Sequence, residues 1–264
     1  QRTFEMRIDM EQRIKGYELK DIAKDILRGN YGTIILGQFL FWLIIFGVVL
    51  VFGFPYMLSS ITALYSSAGY QSSTALYIYR AGTVISQILY GFLSFGSYYL
   101  CLKIICRQRN SYLDVFFGFR RENLLKTLVL TAIRLILNYL CLGAGQYLVS
   151  NYLITLNYRW LLYALIAYTL GYCIYIPVAL ALDNTYFLLL DFPDKKIGDI
   201  LKSSFRLIKG NRKRLFLLEL SFVPLQLLAL LTFGVGNLWL SPYMHMTYTL
   251  FYMDLANPGS LQNR

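Results

Sequence analysis

Apolar residues run in blocks of about twenty along this chain, and most charged residues lie in the stretches between the blocks. A helix needs about 20 apolar residues to cross a hydrocarbon core of ~30 Å. The pattern predicts six such spans, at about Thr33 to Phe54, Thr83 to Ile105, Leu124 to Leu148, Trp160 to Leu182, Leu215 to Phe233, and Val235 to Tyr252. The last is the least regular, because Asn237, Pro242 and His245 interrupt it. The fourth stays apolar from Trp160 to Leu190, about 46 Å if straight, so it must tilt, bend or emerge from the core. Pro177 removes one backbone hydrogen bond and is the candidate kink.

Three stretches between the blocks show a helical apolar period. In the fourth loop Ile197, Ile200, Leu201, Phe205 and Ile208 recur at helical spacing, with Gly210 placed to end the helix. Lys202, Arg206 and Lys209 fall on the opposite face, and Arg212, Lys213 and Arg214 follow. These six form a candidate lipid-contact basic face, and the helix is expected to lie along the inner leaflet. Tyr112, Val115, Phe116 and Phe119 repeat the arrangement in the second loop, and Leu19, Ile22 and Ile26 do so in the N-terminal arm.

Composition agrees with the bilayer as solvent. The 264 residues are 57% hydrophobic and only 15% charged, against roughly 25% charged in soluble domains. The first block is longer than the apolar core of a secretory signal and lacks a small-residue cleavage site, so it reads as a retained helix. The expected class is all-α, a polytopic membrane helix bundle of about six transmembrane helices with cytoplasmic amphipathic interfacial helices. It divides into a basic arm over 1–30, a membrane domain over 31–254, and a polar tail over 255–264.

The net charge of +11 bears on orientation. Lys and Arg crowd the arm (Arg2, Arg7, Arg13, Lys15, Lys20, Lys24, Arg28), the second loop and the fourth loop. The first and third loops hold only Arg80 and Arg159, and the fifth holds none. Positive residues near spans stay cytoplasmic, so both termini are expected inside, in a multi-pass protein of the cell membrane. Tyr56, Tyr65, Tyr70, Tyr77, Tyr79, Tyr152, Tyr158 and Trp160 suit the outer headgroup layer. The basic residues alternate with membrane blocks instead of lining one soluble face, which argues against nucleic acid as a partner. Anionic membrane lipid fits better, and a protein partner is the alternative.

Candidate chemistry is sparse. An ionisable residue within a span costs about 2.5 to 3.5 kcal/mol on insertion scales, so it needs a partner or a wet cavity. Arg134, Asp183 and Glu219 are such residues, at depths of roughly 15, 12 and 8 Å from the inner boundary. Arg134 is expected to pair with Asp183, Glu219 or both. Asn184 belongs to the same candidate polar cluster, because Asp183, Asn184 and Thr185 follow the proline. The cluster is either a structural ion pair or part of a substrate or ion pathway. Cys101, Cys106, Cys141 and Cys173 lack the spacing of a metal site or redox pair, and His245 is the single histidine. No catalytic triad, zincin or P-loop motif is present, so neither a cofactor nor an enzymatic activity is expected.

The C-terminal third resembles a family of bacterial integral membrane proteins, common in Gram-positive organisms, known only as domain of unknown function 975. The resemblance rests on Asp191-Phe-Pro193, on Ser204 through Asn211, on Arg214-Leu-Phe216, and on Glu219 through Phe222. It continues in Gly234-Val-Gly236, Leu238 through Tyr243, and Phe251-Tyr252. Arg28 through Tyr31, Phe116 through Phe119, and Ile176-Pro177 extend it. The family continues its Ile-Pro with Gly where Val178 stands. It favours Asp where Glu219 stands, and Gly-Trp where Pro224-Leu225 stands. The resemblance implies a multi-spanning plasma-membrane protein and carries no established activity with it.

The leading expectation is therefore a non-enzymatic membrane protein that organises inner-leaflet lipid or partner proteins. A transporter or exporter with a polar site near the fourth helix is the alternative, and a membrane-embedded lipid enzyme is the third reading.

Overall fold

The computed structural model describes residues 14–65, 73–155, 157–232 and 234–257. Arg2, Arg7, Arg13, Tyr70 and the tail after Asn257 lie outside the described residues, as does the side chain of Tyr65. Within them the chain is all-helical. A short helix α1 (Gly16–Arg28) precedes four long ones: α2 (Tyr31–Tyr65), α3 (Ser73–Ile105), α4 (Arg121–Thr155) and α5 (Tyr158–Asp191). Then come α6 (Ile197–Ile208), α7 (Arg212–Leu220), α8 (Val223–Leu231) and α9 (Asn237–Ala256). A 3-10 helix, Tyr112–Phe119, joins α3 to α4.

Five stretches are long and apolar enough to cross a membrane: Tyr31–Thr62, Thr74–Ile105, Arg121–Tyr152, Tyr158–Asp191 and Arg212–Leu231. The surface agrees with a lipid surround. Leu140, Leu165, Leu231 and Val51 are each at least 66% exposed, while Thr127, Thr247 and Thr249 are fully buried. Polar side chains turned inward and leucines turned outward suit hydrocarbon as the solvent.

α2 pairs with α3, and α4 with α5, as long hairpins. At 35 and 33 residues, α2 and α3 outrun a ~30 Å core. The loop expected from Pro55 to Gly82 is thus largely the projecting ends of two helices, and Tyr56 stacks on Tyr79 there with ring centroids 4.8 Å apart.

α9 is the sixth predicted span and occupies the middle of the bundle. It touches α1, α2, α3, α5, α6 and α8, and Met246, Leu250 and Phe251 are almost wholly buried. With protein on so many sides it needs little of the outward apolar surface that marks α2, α4, α5 and the Arg212–Leu231 stretch.

One correction concerns helix continuity. The fifth apolar stretch is not one helix: a turn at Ser221 and Phe222 separates α7 from α8. Pro224, the second residue of α8, has no N–H for the Leu220 carbonyl, and its ring crowds that carbonyl. The Ser221 carbonyl at the turn accepts instead from Lys20 Nζ of α1, at 3.0 Å. The fourth stretch is helical from Tyr158 to Asp191, with Pro177 inside it. α4 holds α5 on both sides of it. A Cβ on Gly171 would stand 2.3 Å from the Cys141 carbonyl oxygen, and beyond the proline Arg134 pairs with Asp183.

The connecting helices also pack on protein. Ile200, Ser204 and Ile208 form the buried stripe of α6, and Ser204 Oγ donates to the Ala181 carbonyl of α5. α1 buries Leu19, Ala23 and Leu27, with Ile22 and Ile26 only partly covered. The second-loop segment is a 3-10 helix, not an α-helix. Lys103 and the Ser111 N–H both donate to Asp114 Oδ2, at 2.8 and 2.9 Å.

Gly91, Gly96 and Gly145 allow close approach of neighbouring elements, while Gly143 faces open space. Gly96 is the tightest against backbone: a Cβ there would lie 1.8 Å from the Val115 carbonyl oxygen. Gly96→Ala should push the 3-10 helix off α3 and lower stability by about 1–3 kcal/mol. A melting temperature in detergent equal to that of the parent protein would refute this packing.

Candidate functional site

The predicted charges meet in one place. Arg134 from α4 pairs with Asp183 from α5, and both line a cavity of about 530 Å³ with Glu219 from α7. Trp42 of α2, Tyr90 and Tyr98 of α3, Gln226 of α8, and Asn237, Ser241, His245 and Tyr248 of α9 complete its polar and aromatic lining. Leu180, Val223, Leu227, Leu230 and Met244 supply the apolar part. Each of the five candidate spans and α9 gives at least one residue.

Glu219 does not pair with Arg134. The Tyr248 hydroxyl donates to Glu219 Oε2, and among the described residues no lysine or arginine forms an ion pair with that carboxylate. Across the cavity Tyr98 meets His245 edge to face, with centroids 4.9 Å apart. His245 Nδ1 and Trp42 Nε1 are buried polar atoms without a hydrogen-bond partner among the described residues. A buried polar atom left unpaired costs free energy. The indole N–H of Trp42 is a donor, and the imidazole Nδ1 of His245 donates or accepts according to its tautomer.

The other predicted residues separate. Asn184 is buried beside the cavity, where its amide donates to the Leu180 carbonyl at 2.9 Å; it lines a smaller cleft with Phe187, Leu215 and Phe251. Pro177 lies one and a half turns before Asp183 in the same helix. Lys202, Arg206, Lys209, Arg212 and Lys213 are exposed. Arg214 departs from the basic face expected for it. It turns inward and donates to the Ile14 carbonyl and to Asp254, whose side chain is fully buried. Helical rotation of about 100° per residue carries it away from the exposed Arg212 and Lys213.

Sequence reasoning left Trp42, Tyr98, Gln226, Ser241, His245 and Tyr248 out of the site. The signal lay in the irregularity of the last span. Asn237, Ser241, His245 and Tyr248 recur every three or four residues, which is one face of a helix.

A second concavity, of about 660 Å³, opens on the other side of α8 and α9. Leu225, Leu228, Trp239 and Leu240 line its length, with Lys20 and Lys24 of α1 also on its wall. Lys20 Nζ stands 4.0 Å from the centre of the Phe222 ring. Burial, and then the neighbouring Lys24, pull the Lys20 ammonium below the usual lysine range. Lys24 donates to Asp21 at 3.1 Å.

The ion pair between α4 and α5 makes a direct test. Removing one member strands the other in an apolar surround, at a cost of about 3–5 kcal/mol, whereas replacing both is far milder. Arg134→Leu and Asp183→Leu should each lower the melting temperature and folded yield more than the double variant does. Additive losses in the double variant would show that the two charges do not stabilise each other.

No curated protein and no solved structure matches this chain at the level that marks a relative. The arrangement therefore stands without a neighbour of known activity. The chain belongs to the family described as Protein of unknown function (DUF975), which matches it over residues 10–258.

Proposed function

We propose that this protein is a membrane carrier that binds a small solute in the cavity between α3, α5, the broken helix pair α7–α8, and α9. It sits in the cell membrane with both termini cytoplasmic, and the exposed basic residues from Lys202 to Lys213 face anionic lipid. The observation that carries the reading is the composition of the cavity wall. Three charged side chains, counting the histidine neutral, and several uncharged polar ones converge there from all the spanning segments, in a surround where each charge is costly. A pair needed only to hold two helices together requires neither Glu219 nor a 530 Å³ space beside it. The volume lies within the ~300–1,000 Å³ of small-molecule sites. A discontinuous helix bordering the cavity supports transport further, since such breaks line solute sites in many carriers.

The test is solvent access. With the four native cysteines replaced by serine or alanine, Ser241→Cys places one thiol on the cavity wall. A membrane-impermeant methanethiosulfonate should label it in sealed vesicles from at least one side. A thiol that is unreactive from both sides, in protein that labels fully once denatured, would remove the carrier reading.

A second reading, the organisation of inner-leaflet lipid, is favoured by the groove beside α8. Lys20 and Lys24 suit a phosphate, and Leu225, Leu228 and Trp239 suit an acyl chain, at about 1 kcal/mol of attraction per lysine near an anionic surface. Phosphatidylglycerol should then raise the melting temperature in nanodiscs more than phosphatidylcholine does. Lys20→Gln with Lys24→Gln should erase that difference, and an unchanged difference would exclude the groove as the lipid site.

A further inference from the structure

The charge balance of the cavity points to the class of its ligand. Arg134 is matched by Asp183, which leaves the Glu219 carboxylate as the one uncompensated charge on the wall when the histidine is counted neutral. Its only hydrogen bond among the described residues comes from the Tyr248 phenol, which adds no charge. Tyr90, Tyr98, Trp42 and Tyr248 surround the same space, and aromatic faces attract cations through their ring quadrupoles. A metal ion is a poor match. Hard cations take about six to eight oxygens, whereas this wall offers one carboxylate without a cation and otherwise mostly rings, methyls and scattered polar groups.

The geometry points to a lipophilic organic monocation as the ligand, bound with its charge against Glu219 and its apolar groups against the aromatic and aliphatic wall. His245, 8% exposed, lines the same cavity. This inference rests on the carrier reading and narrows it to a substrate class. Anionic solutes are disfavoured, because the one cationic group in the cavity is already committed to Asp183.

The experiment compares two ions of nearly equal size and opposite charge. Purified protein in nanodiscs is titrated with radiolabelled tetraphenylphosphonium and, separately, with tetraphenylborate, and partition into protein-free discs is subtracted. Saturable binding of the phosphonium ion is expected, at least tenfold tighter than that of the borate. Glu219→Gln should weaken phosphonium binding at least tenfold, and Glu219→Asp, which keeps the charge, should restore the preference. Equal binding of the two ions, unchanged affinity in Glu219→Gln, or no saturable phosphonium binding by the parent protein would overturn the inference. If Glu219→Gln does not fold, the comparison of the two ions on the parent protein decides alone. A water-accessible Ser241→Cys with no phosphonium binding sinks the cation inference and leaves the carrier reading standing. A Ser241→Cys that no reagent reaches sinks both.

Discussion

Charge in an apolar surround has few stable solutions, and the architecture follows from how this chain adopts them. A carboxylate or guanidinium taken out of water costs several kcal/mol unless a partner meets it. Arg134 meets Asp183, Arg214 meets Asp254, and Lys103 meets Asp114. Each pair joins separate elements: α4 to α5, α7 to α9, and α3 to the 3-10 helix. The Arg214 pair reaches furthest. Its guanidinium also holds the Ile14 carbonyl, and Asp254 accepts from the Ile14 N–H at 3.4 Å. The start of α1, the start of the broken helix and the end of α9 thus meet at one point. Glu219 is the exception, held by a phenol and not by a cation, and it lies in the cavity.

Much of the fold was legible in the sequence because hydrocarbon imposes a simple rule on residues that face it. α2, α4 and α5 are outward-facing over most of their lengths, so their apolar runs announce them, while α3 is largely buried yet keeps a long apolar run. α9 obeys a different rule. Packed among six other helices, it carries Asn237, Ser241, His245, Thr247 and Thr249 where lipid-facing helices carry leucine. What made it the weakest predicted span is what makes it the central one. Continuity was less legible. A proline states only that one hydrogen bond is lost, and neighbours decide whether the helix survives. At Pro177, α4 holds both flanks of α5. At Pro224 the turn has Lys20 to satisfy the Ser221 carbonyl, and the helix breaks.

The site divides along the same line. Arg134, Asp183 and Glu219 stood out because a charge inside a span demands a reason, and the structure brings all three to one cavity. Which pair forms was not legible, since three charges of comparable depth allow more than one pairing. Trp42, Tyr90, Tyr98 and Tyr248 were silent, because aromatic residues are common in membrane helices and their sequence gives no sign of facing a shared space. Arg214 misled for the opposite reason. It continues a basic run with Arg212 and Lys213, yet helical rotation turns it towards Asp254 while the other two remain exposed.

The break between α7 and α8 connects these features mechanically. Glu219 lies in the last turn of α7, while Val223 and Gln226, also on the cavity wall, lie in α8. The Ser221 carbonyl between them is held by Lys20, whose ammonium sits over Phe222 on an element that is not itself one of the candidate spans. A continuous helix would fix Glu219 relative to Val223 and Gln226 through its own ladder of hydrogen bonds. Here the link runs through the turn instead, where the Phe222 N–H donates to the Glu219 carbonyl and the Gln226 N–H to the Phe222 carbonyl, both at 2.9 Å. The wall that holds the uncompensated charge is therefore also the wall that contains the turn, and α1 grips that turn through Lys20.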